Sequence, residues 1–125
     1  MEPAKSTAAD LIESYNGCWT SGQTFDQARI ESILAVHLDF EGLIAGKRRG
    51  AAGFVGGLQR FAEGLRAPIV ILQKEICGDE GAVLYDATIP DGTVRFAEFF
   101  GIHDGRIASL KLLYDAAEYR ALGGR

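Results

Sequence analysis

The chain has 125 residues, 47% of them hydrophobic and 24% charged, which is the profile of one folded domain around one core and excludes a disordered segment. A formal net charge of −4 and a pI near 5.1 argue against nucleic acid as a partner. No apolar run is long enough to span a membrane, and "MEPAKSTAADL" lacks the apolar stretch of a signal peptide, so the expected compartment is the cytoplasm.

The first segment, "STAADLIESYNGCWTSG", has helical spacing. Ala8, Leu11, Ile12, Tyr15 and Trp19 form one apolar stripe at steps of three and four. Ser6 is the expected N-cap and Gly22 the expected stop. A second helix follows in "TFDQARIESILA", with Thr24 and Gln27 at capping-box spacing and Ile30, Ile33 and Leu34 as its buried edge. "VHLDFEG" then alternates. Val36, Leu38 and Phe40 fall on one face, and His37, Asp39 and Glu41 on the other, the pattern of a strand.

The basic cluster Lys47-Arg48-Arg49, flanked by glycines, reads as a solvated turn. It leads into a third helix, "AAGFVGGLQRFAEGLRA", with Phe54, Leu58, Phe61 and Leu65 on one side. Gly53, Gly56, Gly57 and Gly64 each cost this helix about 1 kcal/mol relative to alanine. A phosphate-cradling turn would need the GxGxxG order after a buried strand, which is missing. The expected reason is close approach to a neighbour, with Pro68 ending the helix.

The remainder reads as strand. "IVILQKEICG", "AVLYDATI", "TVRFAEFFGIH" and "RIASLKLLYD" are separated by "GDEG", "PDG" and "DG", and a short helix in "AAEYRALGG" closes the chain. Asp-Gly between apolar runs is a strong hairpin signal. Helices first and an antiparallel meander last make the fold class α+β, in a single domain over residues 1–125.

Motifs for metal or nucleophile chemistry are missing. Cys18 and Cys77 match no metal or redox spacing and read as free buried thiols. His37 and His103 are isolated, so no metal and no cofactor is expected.

The residues that demand explanation lie in "RFAEFFGIHDGRIASLKLLYD", where Glu98 stands among Phe96, Phe99 and Phe100. A two-residue turn at Asp91-Gly92 sets Glu98 opposite Tyr85. One hairpin face then holds Val83, Tyr85, Ala87, Ile89, Val94, Phe96, Glu98 and Phe100. The other holds Leu84, Asp86, Thr88, Arg95, Ala97 and Phe99. A three-residue turn would set Glu98 opposite Leu84 and bring Asp86 to the pocket face. A carboxylate on an apolar face is costly unless paired, hydrogen-bonded or protonated. Two readings follow: a structural pair with the Tyr85 hydroxyl or a helix donor, or the polar anchor of a small-molecule pocket.

Three stretches carry a resemblance to a known family: "IESYNGCWTSGQTFDQARIESILAVHLDFEG", "GAAGFVGGLQRFAEGL" and "FAEFFGIHDGRIASLKLLYD". Through them nearly the whole chain resembles the nuclear-transport-factor-2-like superfamily, and within it the SnoaL-like branch. The resemblance implies a cone-shaped α+β roll, a curved antiparallel sheet wrapped around the first helices, with a cavity at its wide end and a homodimer formed through the sheet. Set against the ketosteroid isomerases of that superfamily, the chain is similar at Tyr15, Glu41 and Glu98, which the resemblance makes the catalytic set. Both acids are glutamate where that family has aspartate. Trp19, Tyr85, Phe96, Phe100, Leu110, Leu112 and Tyr114 are the implied ligand-binding walls. Relatives resembling limonene-epoxide hydrolases would use an Asp–Arg–Asp arrangement, which Asp86 and Arg95 supply in part, and only in the slipped register. The implied function is binding of a hydrophobic small molecule, with acid–base isomerase or cyclase chemistry on a carbonyl compound. The alternative is a noncatalytic binding or dimerisation module.

Overall fold

The computed structural model describes residues 8–17, 19, 25–44 and 46–124. Ser6, Cys18, Gly22 and Thr24, read above as a cap, a thiol, a stop and half of a capping box, lie outside the described residues. Helix α1 (Ala8–Gly17) buries Ala8, Leu11, Ile12 and Tyr15, the stripe its spacing predicts, and Trp19 is buried just beyond its end. Helix α2 (Gln27–Ile33) begins at Asp26, whose carboxylate accepts the Arg29 backbone N–H at 3.1 Å.

Strand β1 (Leu34–Gly42) buries Leu34 and Leu38 but leaves Val36 72% exposed. The alternation expected there fails because the pairing register shifts between Leu34 and Asp39, and such a bulge re-aims the side chains it carries. "GKRR" is strand rather than turn. It forms β2 (Gly46–Arg49), antiparallel to β1, where Arg49 pairs with Asp39 at 3.1 Å and Lys47 with Glu41 at 3.9 Å. Cross-strand carboxylates thus absorb two of the three basic side chains.

Helix α3 (Ala51–Glu63) stops at Gly64, before Pro68. Its Gly53, Gly56 and Gly57 are exposed, and a Cβ added to any of them would meet nothing within 4 Å. The close approach expected of these glycines occurs elsewhere, at Gly81 of the sheet. There a Cβ would come within 2.5 Å of Ile12 Cδ1, so this side chain of α1 lies close against the sheet at this glycine.

Strands β3 (Val70–Cys77), β4 (Glu80–Ile89), β5 (Gly92–His103) and β6 (Arg106–Leu113) form the expected meander, and α4 (Ala116–Ala121) closes the chain, capped by Asp115. The sheet order is β2-β1-β6-β5-β4-β3. β1 runs parallel to β6, so the sheet is mixed and not wholly antiparallel. Register shifts also occur between Ile71 and Gln73 and between Gly101 and Ile102. Bulges of this kind bend the sheet into an open curve around the helices. β3 is an edge strand exposed along its whole length. This is why Cys77 is an exposed thiol and not a buried one.

The β4–β5 hairpin keeps its expected faces but not its expected pairing. Ile89 opposes Gly92, so the turn residues are Pro90 and Asp91 and opposed positions move by two. Neither turn residue has a positive φ. Proline fixes its own φ at the value that the second residue of a common turn requires, so it captures the turn from Asp91-Gly92. A shift of two leaves every side chain on its predicted face.

Candidate functional site

Glu98 is 2% exposed, on the concave face of the sheet. Its neighbours across the strands are Val83 of β4 and Leu112 of β6; Tyr85 opposes Phe96 and sits diagonally from it. Tyr15 reaches over from α1, and its Oη donates to Glu98 Oε2 at 3.0 Å. The ring of Tyr15 lies edge-on to Phe100 and to Trp19, and that of Trp19 lies edge-on to Tyr85. Tyr85 stacks on Phe96 at 5.3 Å. The carboxyl is therefore walled by aromatic rings, and a low-dielectric surround of that kind penalises its charged form.

Burial pushes the Glu98 carboxyl up to about 7, against the opposing influence of Tyr85 and Tyr15, which favour the ionised form. The Tyr85 phenol is pushed well above its ordinary range, first by its own burial and then by the Glu98 charge. Tyr85 approaches the carboxyl, yet Oε1 accepts no hydrogen bond of good geometry. A carboxyl raised toward neutrality presents both its protonated and its ionised form near neutral pH, so it can donate to a ligand or accept from one.

Of the implied catalytic set, Tyr15 and Glu98 meet and Glu41 does not join them. Phe40 pairs with Leu110 on the concave side, whereas Glu41 pairs with Lys111 and Lys47. Lys111 in turn opposes Phe99, which faces away from Glu98. Glu41 thus stands on the outer face, with its side chain 46% exposed and its carboxylate held by Lys47. Asp86 and Arg95 also lie on the outer face, joined by two hydrogen bonds of 2.9 and 3.1 Å. The guanidinium holds the Asp86 carboxyl below its usual range. The slipped register that would bring Asp86 inward does not occur.

The implied ligand walls all fall on the inner side. Trp19, Tyr85, Phe96, Phe100 and Leu110 belong to the buried core, and Leu112 and Tyr114 pack against it. Burial raises the Tyr114 phenol, which is also tied to the Ile44 backbone. Two rings of α3 were not foreseen as part of this wall. Phe54 stacks on Tyr15, and Phe61 bridges Trp19 and Phe96. Their helical spacing marks them as inward-facing, and nothing local ties them to Glu98. Asn16, buried with its amide nitrogen unpartnered, was also missed. Beyond Phe61, a half-open cleft of about 590 Å3 lies between the end of α3, the β4–β5 turn and the C-terminal segment, bordered by Arg60, Arg66, Ile89 and Tyr119. Among the described residues no group of three or more histidine, cysteine or acidic side chains is placed to hold a metal ion. None of the described helices is long and apolar enough to cross a membrane.

No family model matches the sequence, and no curated protein matches it. Solved structures do. An NTF2-like protein of unknown function from Cytophaga hutchinsonii superposes with a TM-score of 0.78 at 16% identity, covering 96% of this chain and 99% of that one. The chain has the NTF2-like fold. A candidate SnoaL-like polyketide cyclase from a Jannaschia species gives a TM-score of 0.80 at 13% identity, over 98% of this chain and 94% of the other. A candidate ketosteroid isomerase from Kribbella flavida gives 0.74 at 15% identity, over 86% and 77%. At these identities the NTF2-like match carries the shape and leaves the chemistry to be argued from the residues.

Proposed function

We propose that this protein binds a hydrophobic small molecule on the concave face of its sheet, and that Glu98 is the acid–base group of the site. One observation carries the reading: a carboxyl enclosed by aromatic rings, held on one oxygen by Tyr15 and left open on the other. The ionised carboxylate can take the proton from the carbon beside a carbonyl on its open oxygen and return it to another carbon, while a phenol of the site donates to the carbonyl oxygen that gains negative charge. The reaction class that fits is proton transfer next to a carbonyl, of the isomerase or cyclase kind. The candidate cyclase and isomerase with this fold make the reading coherent without deciding it. With Glu41 on the outer face, a second acid–base group is not required of it; Tyr15 and Tyr85 are the polar partners.

A second reading has its own observation. Tyr15, Trp19, Tyr85, Phe96 and Phe61 form an unbroken series of ring contacts, as in a cone filled by its own side chains. Under it, Glu98 is a structural hydrogen-bonding residue.

Naphthol separates the two, because it is an aromatic body with one acidic oxygen. Binding is followed by its fluorescence. Glu98→Gln weakens it by about tenfold or more if the carboxyl is the anchor, since hydrogen bonds to charged groups are worth that much. Unchanged binding in Glu98→Gln, together with unfolding of Glu98→Leu, would establish the structural role instead.

We also infer that two copies associate through the outer face of the sheet. Leu84, Ala97 and Leu113 lie there in one cross-strand row with Phe99 two residues along, between Ala82 and Lys111; Phe99 is 42% and Leu113 50% exposed. Contiguous apolar surface of this sort marks an interface.

A further inference from the structure

Two buried polar atoms beside the proposed site have no partner, and they are of opposite kind. Trp19 is 3% exposed and its indole Nε1–H donates to nothing; Glu98 is 2% exposed and its Oε1 accepts from nothing. Both border the same ring. The Trp19 ring stands 5.7 Å from that of Tyr85, whose phenol in turn approaches the Glu98 carboxyl. A buried indole N–H left unpaired loses its hydration without replacement, and such groups are rare enough to need a reason. An unpaired acceptor bordering the same tyrosine makes a shared reason economical: one ligand that satisfies both.

We propose that Trp19 is a specificity-determining residue of the site, donating its indole N–H to a second oxygen of the ligand. The substrate class is then a hydrophobic compound with two oxygens, a ketone or aldehyde that also carries a hydroxyl, rather than a simple ketone. One oxygen lies at Glu98 and Tyr15, the other at Trp19. Phe61 packs on Trp19 and Phe96 on Tyr85, so what separates the two polar ends is aromatic. A site built to pair a buried donor rejects a compound lacking the matching oxygen, because the donor stays unpaired when that compound binds. This inference rests on the proposed function, since it assigns the second polar contact of the same site.

The sequence contains a single tryptophan, so its indole N–H gives one resonance. The probes are hydroxytetralones with different spacings of hydroxyl and ketone, compared with naphthol and unsubstituted tetralone. The expected result is a downfield shift and slowed hydrogen exchange of the indole N–H with the best-bound hydroxytetralone, and neither with the one-oxygen probes. Trp19→Phe keeps a ring in place and removes the donor. It weakens the hydroxytetralone by about tenfold more than it weakens naphthol, the difference being one hydrogen bond. If Trp19→Phe does not fold, the wild-type resonance decides alone. Glu98-dependent binding of all probes, with the indole resonance unmoved, would overturn the role of Trp19 and leave the proposed function standing. Failure of every probe to bind in a Glu98-dependent way would defeat both.

Discussion

Tyr15 and Glu98 lie 83 positions apart in sequence and meet through one hydrogen bond of 3.0 Å, from Oη to Oε2. That contact ties the first helix to the centre of the sheet. Burial dominates the protonation of the carboxyl and raises its pKa; Tyr85, and then Tyr15 through this contact, oppose it by favouring the charged form.

Stability depends on pH through this residue. The Glu98 carboxyl has a folded pKa of about 7 against an ordinary value of 4.5, so the folded state binds the proton more tightly than the unfolded one. Its contribution is fully present below the unfolded value and is lost as pH rises through the folded value. Stability therefore falls between about pH 4.5 and 7, by about 3 kcal/mol for a shift of this size. Urea midpoints across that window fall in the wild type, and the fall is largely absent in Glu98→Gln. Asp86, whose carboxyl is lowered by Arg95, acts in the opposite sense and only at more acidic pH.

Tyr15→Phe removes the donor to Oε2 and leaves the carboxyl only the approach of Tyr85. It costs about 1 to 3 kcal/mol, the range for stranding a buried polar group. The Glu98 pKa also moves further up, because a contact that favours the charge has gone. Carboxyl carbon shifts followed against pH read that movement directly. A downward movement would show that the hydroxyl does not stabilise the ionised carboxyl.

The outer face of the sheet gives a separate test. Phe99→Lys places a charge in the apolar group formed with Leu84, Ala97 and Leu113 and leaves the concave face untouched. Sedimentation at micromolar concentration is expected to show a dimer for the wild type and a monomer for this variant, with unchanged melting of the monomer. A wild-type monomer would remove the interface.

Much of this arrangement is legible in short-range pattern, and what fails is what distance decides. Alternation in β4 and β5 keeps Glu98 and Tyr85 inward in either two-residue turn, because moving the turn by one position moves the pairing by two and conserves the face. The pairing itself is lost to Pro90, whose fixed φ outranks the Asp-Gly signal beside it. Glu41 is instructive in another way. Its own strand pattern puts it opposite Phe40, on the face where it is found; only the likeness to the isomerases brings it to the site. The parallel contact of β1 with β6 has no local signature, since the two strands are joined through α3 and the intervening strands. For the same reason no pattern announces that Phe61 meets Trp19, or that Gly81 rather than the glycines of α3 lies against a helix side chain.

Glu98→Leu puts the balance between stability and function to its hardest test. The ionised carboxyl is buried among Val83, Leu112, Phe96 and Phe100, where an apolar side chain of similar volume loses no hydration. Against that gain, Tyr15 loses the acceptor it uses at Oε2. Above pH 7 the cost of the buried charge is complete, so the substitution is expected to raise stability there by about 1 to 3 kcal/mol. Below pH 4.5 the wild-type carboxyl is neutral and hydrogen-bonded, and the advantage shrinks or reverses. The two urea-midpoint profiles should therefore cross or converge on the acid side, while naphthol binding is weakened in Glu98→Leu at every pH. A variant that is less stable than wild type at pH 8 would mean that the carboxyl holds the fold together, and the assignment of Glu98 to ligand chemistry would fall with it.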